Sequence, residues 1–119
     1  MWSLLSFLMY EKNKKGDDTM YEQFNNGLNV YLPQEVDHYT AEEIRREVDK
    51  RIEKGGVSLV TFDFRNTSFM DSSGIGLIMG RYKMVNYIGG SVCVVNVSDK
   101  IDRLLKLARV QQFVQIFKS

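Results

Sequence analysis

Two hydroxyls and a carboxylate stand together at Asp71-Ser72-Ser73, and Gly74, Gly76 and Gly80 follow at once. At the start of a helix such a run can do two things. First-turn amides lack intrahelical partners, so Asp71 or Ser72 can cap them and the Ser73 hydroxyl can satisfy another. The same amides, with the positive end of the helix dipole, also accommodate a phosphate. A phosphoserine there would bring a charge of about −1.5 to −2 at neutral pH, opposed by Asp71. Such a modification would change surface potential more than shape and would act by repelling a partner. On these residues alone, capping is the better account of Ser72.

The glycines are a second clue. Each costs roughly 1 kcal/mol relative to alanine inside a helix, so three this close together imply that something approaches the backbone. Beside the serines, at Gly74 and Gly76, the expectation is access by a partner. At Gly80, tight packing on a sheet is an equally good account.

Other chemistries find less support. A serine hydrolase would need a base, and His38 is the sole imidazole; the G-x-S-x-G elbow is absent. Gly74, Gly76 and Gly80 are spaced G-x-G-x-x-x-G, which misses the dinucleotide fingerprint, and no Gly-Lys-Ser/Thr marks a P-loop. No metal site or cofactor is expected, since His38 has no second histidine to share an ion. Cys93, the single cysteine, cannot form an intrachain disulfide, suits a reducing compartment and reads as a small core hydrophobe. Sixteen basic against fifteen acidic residues leave a net charge of +1, which argues against nucleic-acid or membrane-surface binding. Arg81, Lys83, Arg103, Lys106 and Arg109 read as scattered solvated surface.

The elements that must position the Asp71-Ser72-Ser73 run can be traced along the chain. The apolar opening, 1–10, is too short to span a membrane and lacks a secretory signal's flanks. The charged stretch 11–19 reads as a linker, so residues 1–19 form a flexible extension and the domain occupies 20–119. Tyr21 to Phe24, then Leu28, Val30 and Leu32, predict two strands around the Asn25-Asn26-Gly27 turn, ended by Pro33. Thr40 and Glu43 form a capping box, with Asp37 and His38 shaping the loop before it. Ala41, Ile44, Val48 and Ile52 then give an amphipathic helix, stopped by Gly55-Gly56. Val57 to Phe64 predicts a central strand, and Arg65 to Asp71 a loop. A second helix follows with Ile75, Ile78, Met79, Tyr82 and Val85 on one face. Ser91 to Val97 predicts a strand, Ser98 or Asp99 the cap of a third helix carrying Ile101, Leu104, Leu105 and Ala108, and Phe113 to Phe117 a last strand. The fold class is α/β, a mixed four- to five-stranded sheet with helices mainly on one side.

Phe69 to Gly76, continued by Gly80-Arg81-Tyr82-Lys83, resembles the phosphorylation-site helix of bacterial anti-sigma factor antagonists. Glu35 to Glu43 resembles the approach to their first helix. The likeness runs from about Met20 to the C-terminus, and it is nearest the branch controlling sporulation or general-stress sigma factors. It departs at Pro33-Gln34, where the family often has glycine.

The resemblance implies a STAS fold and a cytoplasmic phosphoprotein that is a substrate, not an enzyme. Unphosphorylated, it would bind an anti-sigma factor that is itself a serine kinase, and so release the sigma factor. The kinase would phosphorylate Ser72, and a metal-dependent (PP2C-like) serine phosphatase would reset it. With the family motif in hand, Ser72 reads as phospho-acceptor. Asp37, Asp71, Ser72, Ser73, Gly74, Gly76 and Gly80 form the partner-binding set. The alternative within the fold is a non-phosphorylated STAS scaffold in a transporter-associated or sensory complex.

Overall fold

The computed structural model describes residues 11–12 and 19–119. Its strands are β1 (Glu11–Lys12), β2 (Met20–Phe24), β3 (Gly27–Tyr31), β4 (Glu35–Val36), β5 (Leu59–Asp63), β6 (Phe69–Met70), β7 (Ser91–Val97) and β8 (Gln115–Lys118). The helices are α1 (His38–Glu53), α2 (Ser72–Tyr87) and α3 (Asp99–Leu107), with a 3₁₀ turn at Val110–Gln112. One mixed sheet has the order β1-β2-β3-β5-β7-β8, antiparallel through β3 and parallel beyond it. Five of these strands match the expectation from sequence, and β1 extends the sheet at its edge. Glu11–Lys12 therefore belongs to the sheet and not to a linker, and Thr19 is fully buried. The apolar opening and the rest of the charged stretch lie outside the described residues.

Strand alternation divides the sheet cleanly. Leu28 and Val30, Val60 and Phe62, and Val92 and Val94 are in register and almost wholly buried. Onto this face α1 turns Ala41, Ile44, Val48 and Ile52, the four residues its periodicity singled out. The second helix buries a somewhat different set: Gly74, Leu77, Ile78, Arg81 and Val85, with Ile75, Met79 and Tyr82 only partly covered. On α3, Ile101 and Leu105 are buried, while Ala108 is its exposed C-cap. Cys93 lies on the opposite face of the sheet, half-buried beside Thr61 at 3.4 Å, and is not a core residue.

A second, two-stranded sheet was not visible in the sequence. β4 and β6 pair in parallel, Glu35 with Phe69 and Val36 with Met70, inside what read as loops. Their linkage is dense: the Ser68 and Phe69 amides donate to the Gln34 carbonyl, the Asp71 amide to Val36, and the Thr67 hydroxyl to the Pro33 carbonyl at 2.8 Å. Behind it, the 4 % exposed Asp63 carboxylate accepts from the Arg65 amide, the Arg65 guanidinium and the Asn96 amide group. Burial alone would push that carboxyl up, but the hydrogen bonds from Arg65 and Asn96 outweigh it and hold the carboxyl below its ordinary value. These bonds fix the two connections that lead into α1 and α2.

Candidate functional site

Because β4 and β6 are paired in register, the helices that follow them begin side by side. Asp37 and Asp71 are the two N-caps, with nearly identical backbone angles (φ −99°, ψ −174° and φ −100°, ψ −171°). The Asp37 carboxylate accepts from the Thr40 amide at 2.9 Å, and the Asp71 carboxylate from the Ser73 amide at 2.8 Å. The cap of α1 is thus Asp37, not Thr40, which sits within the first turn. The chain must leave β4 in extended geometry and turn immediately, so the first competent side chain takes the capping position. The hydrogen bond from Thr40 eases ionisation of Asp37 and holds its carboxyl below the ordinary value.

Asp71 likewise relieves Ser72 of any capping role. Ser72 is the first helical residue of α2 and is exposed. Ser73 is half-buried, and its amide rather than its hydroxyl satisfies the cap. The glycines separate into two groups. Gly74 is buried, and a Cβ there would overlap Met70 Cγ and Sδ and touch Val36 at 3.4 Å. Gly74 is therefore needed for close packing of α2 on β4 and β6. Gly76 and Gly80 have open space where a Cβ would stand. With Ser72 they recur at i, i+4 and i+8, along one side of the helix. A shallow track without side chains therefore leads away from the serine.

Two exposed aromatics at this rim were not singled out from sequence. Tyr39 in the first turn of α1 is 58 % exposed and Phe69 on β6 is 43 % exposed. For Phe69 the reason lies in the structure: in a two-residue strand, the buried Met70 puts its neighbour on the opposite face. Aromatic side chains at a rim supply large contact area at low entropic cost and are frequent anchors in interfaces.

Farther along, α2 is held to α1 by an ion pair. Arg81 Nε lies 2.8 Å from Asp49 Oδ1 in a charge contact whose alignment falls short of a hydrogen bond. The same carboxylate meets Arg45 at 3.1 Å, and Arg45 also pairs with Glu42. Arg81 is 7 % exposed and so is not surface, contrary to its reading from sequence. Among the described residues no cluster of histidine, cysteine or carboxylate side chains could hold a metal ion. Among them, too, no helix is long and apolar enough to cross a membrane.

A mixed sheet with two parallel helix starts and a serine at the head of the second defines a class. The chain belongs to the STAS domain family, whose model matches residues 19–119. Its relatives are anti-sigma factor antagonists. It is 34 % identical to the anti-sigma F factor antagonist of Paenibacillus polymyxa over 98 residues, 82 % of this chain and 84 % of that one. It is 30 % identical to the anti-sigma-B factor antagonist of Bacillus subtilis over 95 residues, 80 % and 85 % of the two chains. The solved structure of the anti-sigma factor antagonist SpoIIAA in its unphosphorylated form superposes with a TM-score of 0.76 at 26 % identity, covering 82 % of this chain and 86 % of that one. The phosphorylated form of SpoIIAA, from Bacillus, gives 0.70 at 26 % identity, covering 82 % and 89 %.

Proposed function

We propose that this chain is an anti-sigma factor antagonist switched at Ser72. Unphosphorylated, it binds an anti-sigma factor that is also a serine kinase, and this frees the sigma factor. The kinase then phosphorylates Ser72, the chain dissociates, and a PP2C-like phosphatase restores it. The observation that carries this reading is the division of labour at the head of α2. Asp71 caps the helix, so the Ser72 hydroxyl stands exposed and is not needed to satisfy the first turn.

Physical chemistry supports the direction of the switch. A partner docking along Ser72, Gly76 and Gly80 would meet backbone and a small hydroxyl. A phosphate at the head of that track adds bulk and charge beside Asp71 and Asp37, and no fold change is required. The test is intact-mass spectrometry after incubation with the cognate anti-sigma kinase and ATP. One added phosphate on wild type and none on Ser72→Ala supports the reading. No phosphate on either favours the scaffold alternative, and phosphate on both assigns the wrong serine.

A further inference from the structure

Since β4 and β6 are paired in register and the two caps share one backbone conformation, the next residues of each chain segment also stand opposite one another. Those residues are His38, first in α1, and Ser72, first in α2. Both are exposed, and the segments they leave are one strand spacing apart, about 4.8 Å. The rim formed by residues 34–40 and 68–76 carries three carboxylates, Glu35, Asp37 and Asp71, and one basic side chain, His38. A dianion attached to Ser72 would therefore arrive among like charges, and within these two segments His38 is the side chain able to compensate it.

We propose that His38 is the residue that receives the Ser72 phosphate. Its imidazolium donates a hydrogen bond to a phosphate oxygen and joins the start of α1 to the start of α2. In the unmodified chain the Glu42 carboxylate, one turn along α1, is the acidic neighbour that feels the His38 charge. Phosphorylation would thus withdraw two groups from the partner surface together, the Ser72 hydroxyl and the His38 ring. It would also fill the gap between the helix starts that a partner would use. His38 acts here as a positioning residue, with no bond made or broken at the ring.

This inference rests on Ser72 as the modified residue, so the test installs phosphoserine at position 72 by genetic encoding and does not depend on a kinase. The ³¹P resonance of the full-length chain is followed from pH 5 to 8 for the phosphorylated wild type, His38→Gln and Arg46→Gln. Arg46 is an exposed cation farther along α1 and controls for general charge. A cation within hydrogen-bond reach should lower the phosphate's second ionisation, so its midpoint should rise by about 0.5–1 pH unit in His38→Gln. It should stay unchanged in Arg46→Gln. Equal midpoints in wild type and His38→Gln, or an equal rise in Arg46→Gln, would overturn the assignment. Failure of a kinase to modify Ser72 would sink the proposed switch and leave this measurement intact. The circular dichroism of each variant checks that the fold is kept.

Discussion

The two helix starts, Asp37-His38-Tyr39-Thr40 and Asp71-Ser72-Ser73-Gly74, have almost the same backbone conformation and different work. In α1 the cap reaches the third helical amide, and Ala41 packs its methyl group into the core. In α2 the cap reaches the second amide, the Gly74 amide turns back tightly to the Asp71 carbonyl at 3.0 Å, and no methyl group fits. The second start is therefore drawn in against β4 and β6, while the first residue of each helix stays at the surface. The difference teaches that the Ser72 hydroxyl is left free because Asp71 satisfies the turn, on a helix start that Gly74 lets sit close on β4 and β6. Hydroxyl chemistry at the surface depends on packing beneath it.

The severest way to break the comparison is to cut the ion pair that joins the two helices. Arg81→Met leaves the Asp49 carboxylate largely buried with only Arg45 as a partner. Removing one member of such a pair should cost about 2–4 kcal/mol, read by urea denaturation, and should loosen α2 in hydrogen exchange. A loss below that of an ordinary surface substitution would show that the pair does not hold the helices together.

Next comes the packing contrast within α2. Gly74→Ala gains helix propensity of about 1 kcal/mol but must displace Met70, at about 1–3 kcal/mol, so a net loss of up to about 2 kcal/mol is expected. Gly76→Ala, with open space, should instead gain up to about 1 kcal/mol in stability while weakening partner binding. Thermal melts of both variants separate the two cases. Matching shifts would collapse the distinction between a packing glycine and a track glycine.

Smaller effects distinguish the caps. Asp71→Ala should cost about 0.5–2 kcal/mol. Asp37→Ala should also lower the melting temperature, with a pH signature. A carboxyl whose ionisation is eased in the folded chain contributes stability above its ordinary value of 3.8 and loses it as pH falls through its folded value. The difference between wild type and Asp37→Ala should therefore shrink below pH 3.8 in acid titrations followed by circular dichroism. Smallest of all in stability is Ser72→Ala, expected within about 0.5 kcal/mol of wild type because another residue caps the helix. Its partner affinity should be kept, whereas Ser72→Asp should bind more weakly by calorimetry. Equal binding by wild type and both variants would sink the switch.

Much of this was legible in the chain. Helical spacing marked the inward face of α1 residue by residue, β-branched and aromatic runs marked the central strands, and Asp71-Ser72-Ser73-Gly74 marked the head of α2. These signals are local: periods of two or 3.6 residues, turn glycines and capping side chains act through neighbours in sequence. The β4–β6 pair was illegible because two-residue strands have no period to read, and their bonds join segments more than thirty residues apart. Arg81 misled because a cation on a helix looks solvated until a carboxylate from another helix meets it. Thr40 and Asp37 are both good caps, three residues apart, and only the direction in which the chain leaves β4 chose between them. Sequence by itself determined the three helices, five of the strands and the place of the Asp71-Ser72-Ser73 run at a helix head. Tertiary structure alone decided that two helix starts lie abreast and which glycine is packed and which is open, because each of these is set by pairing between distant segments.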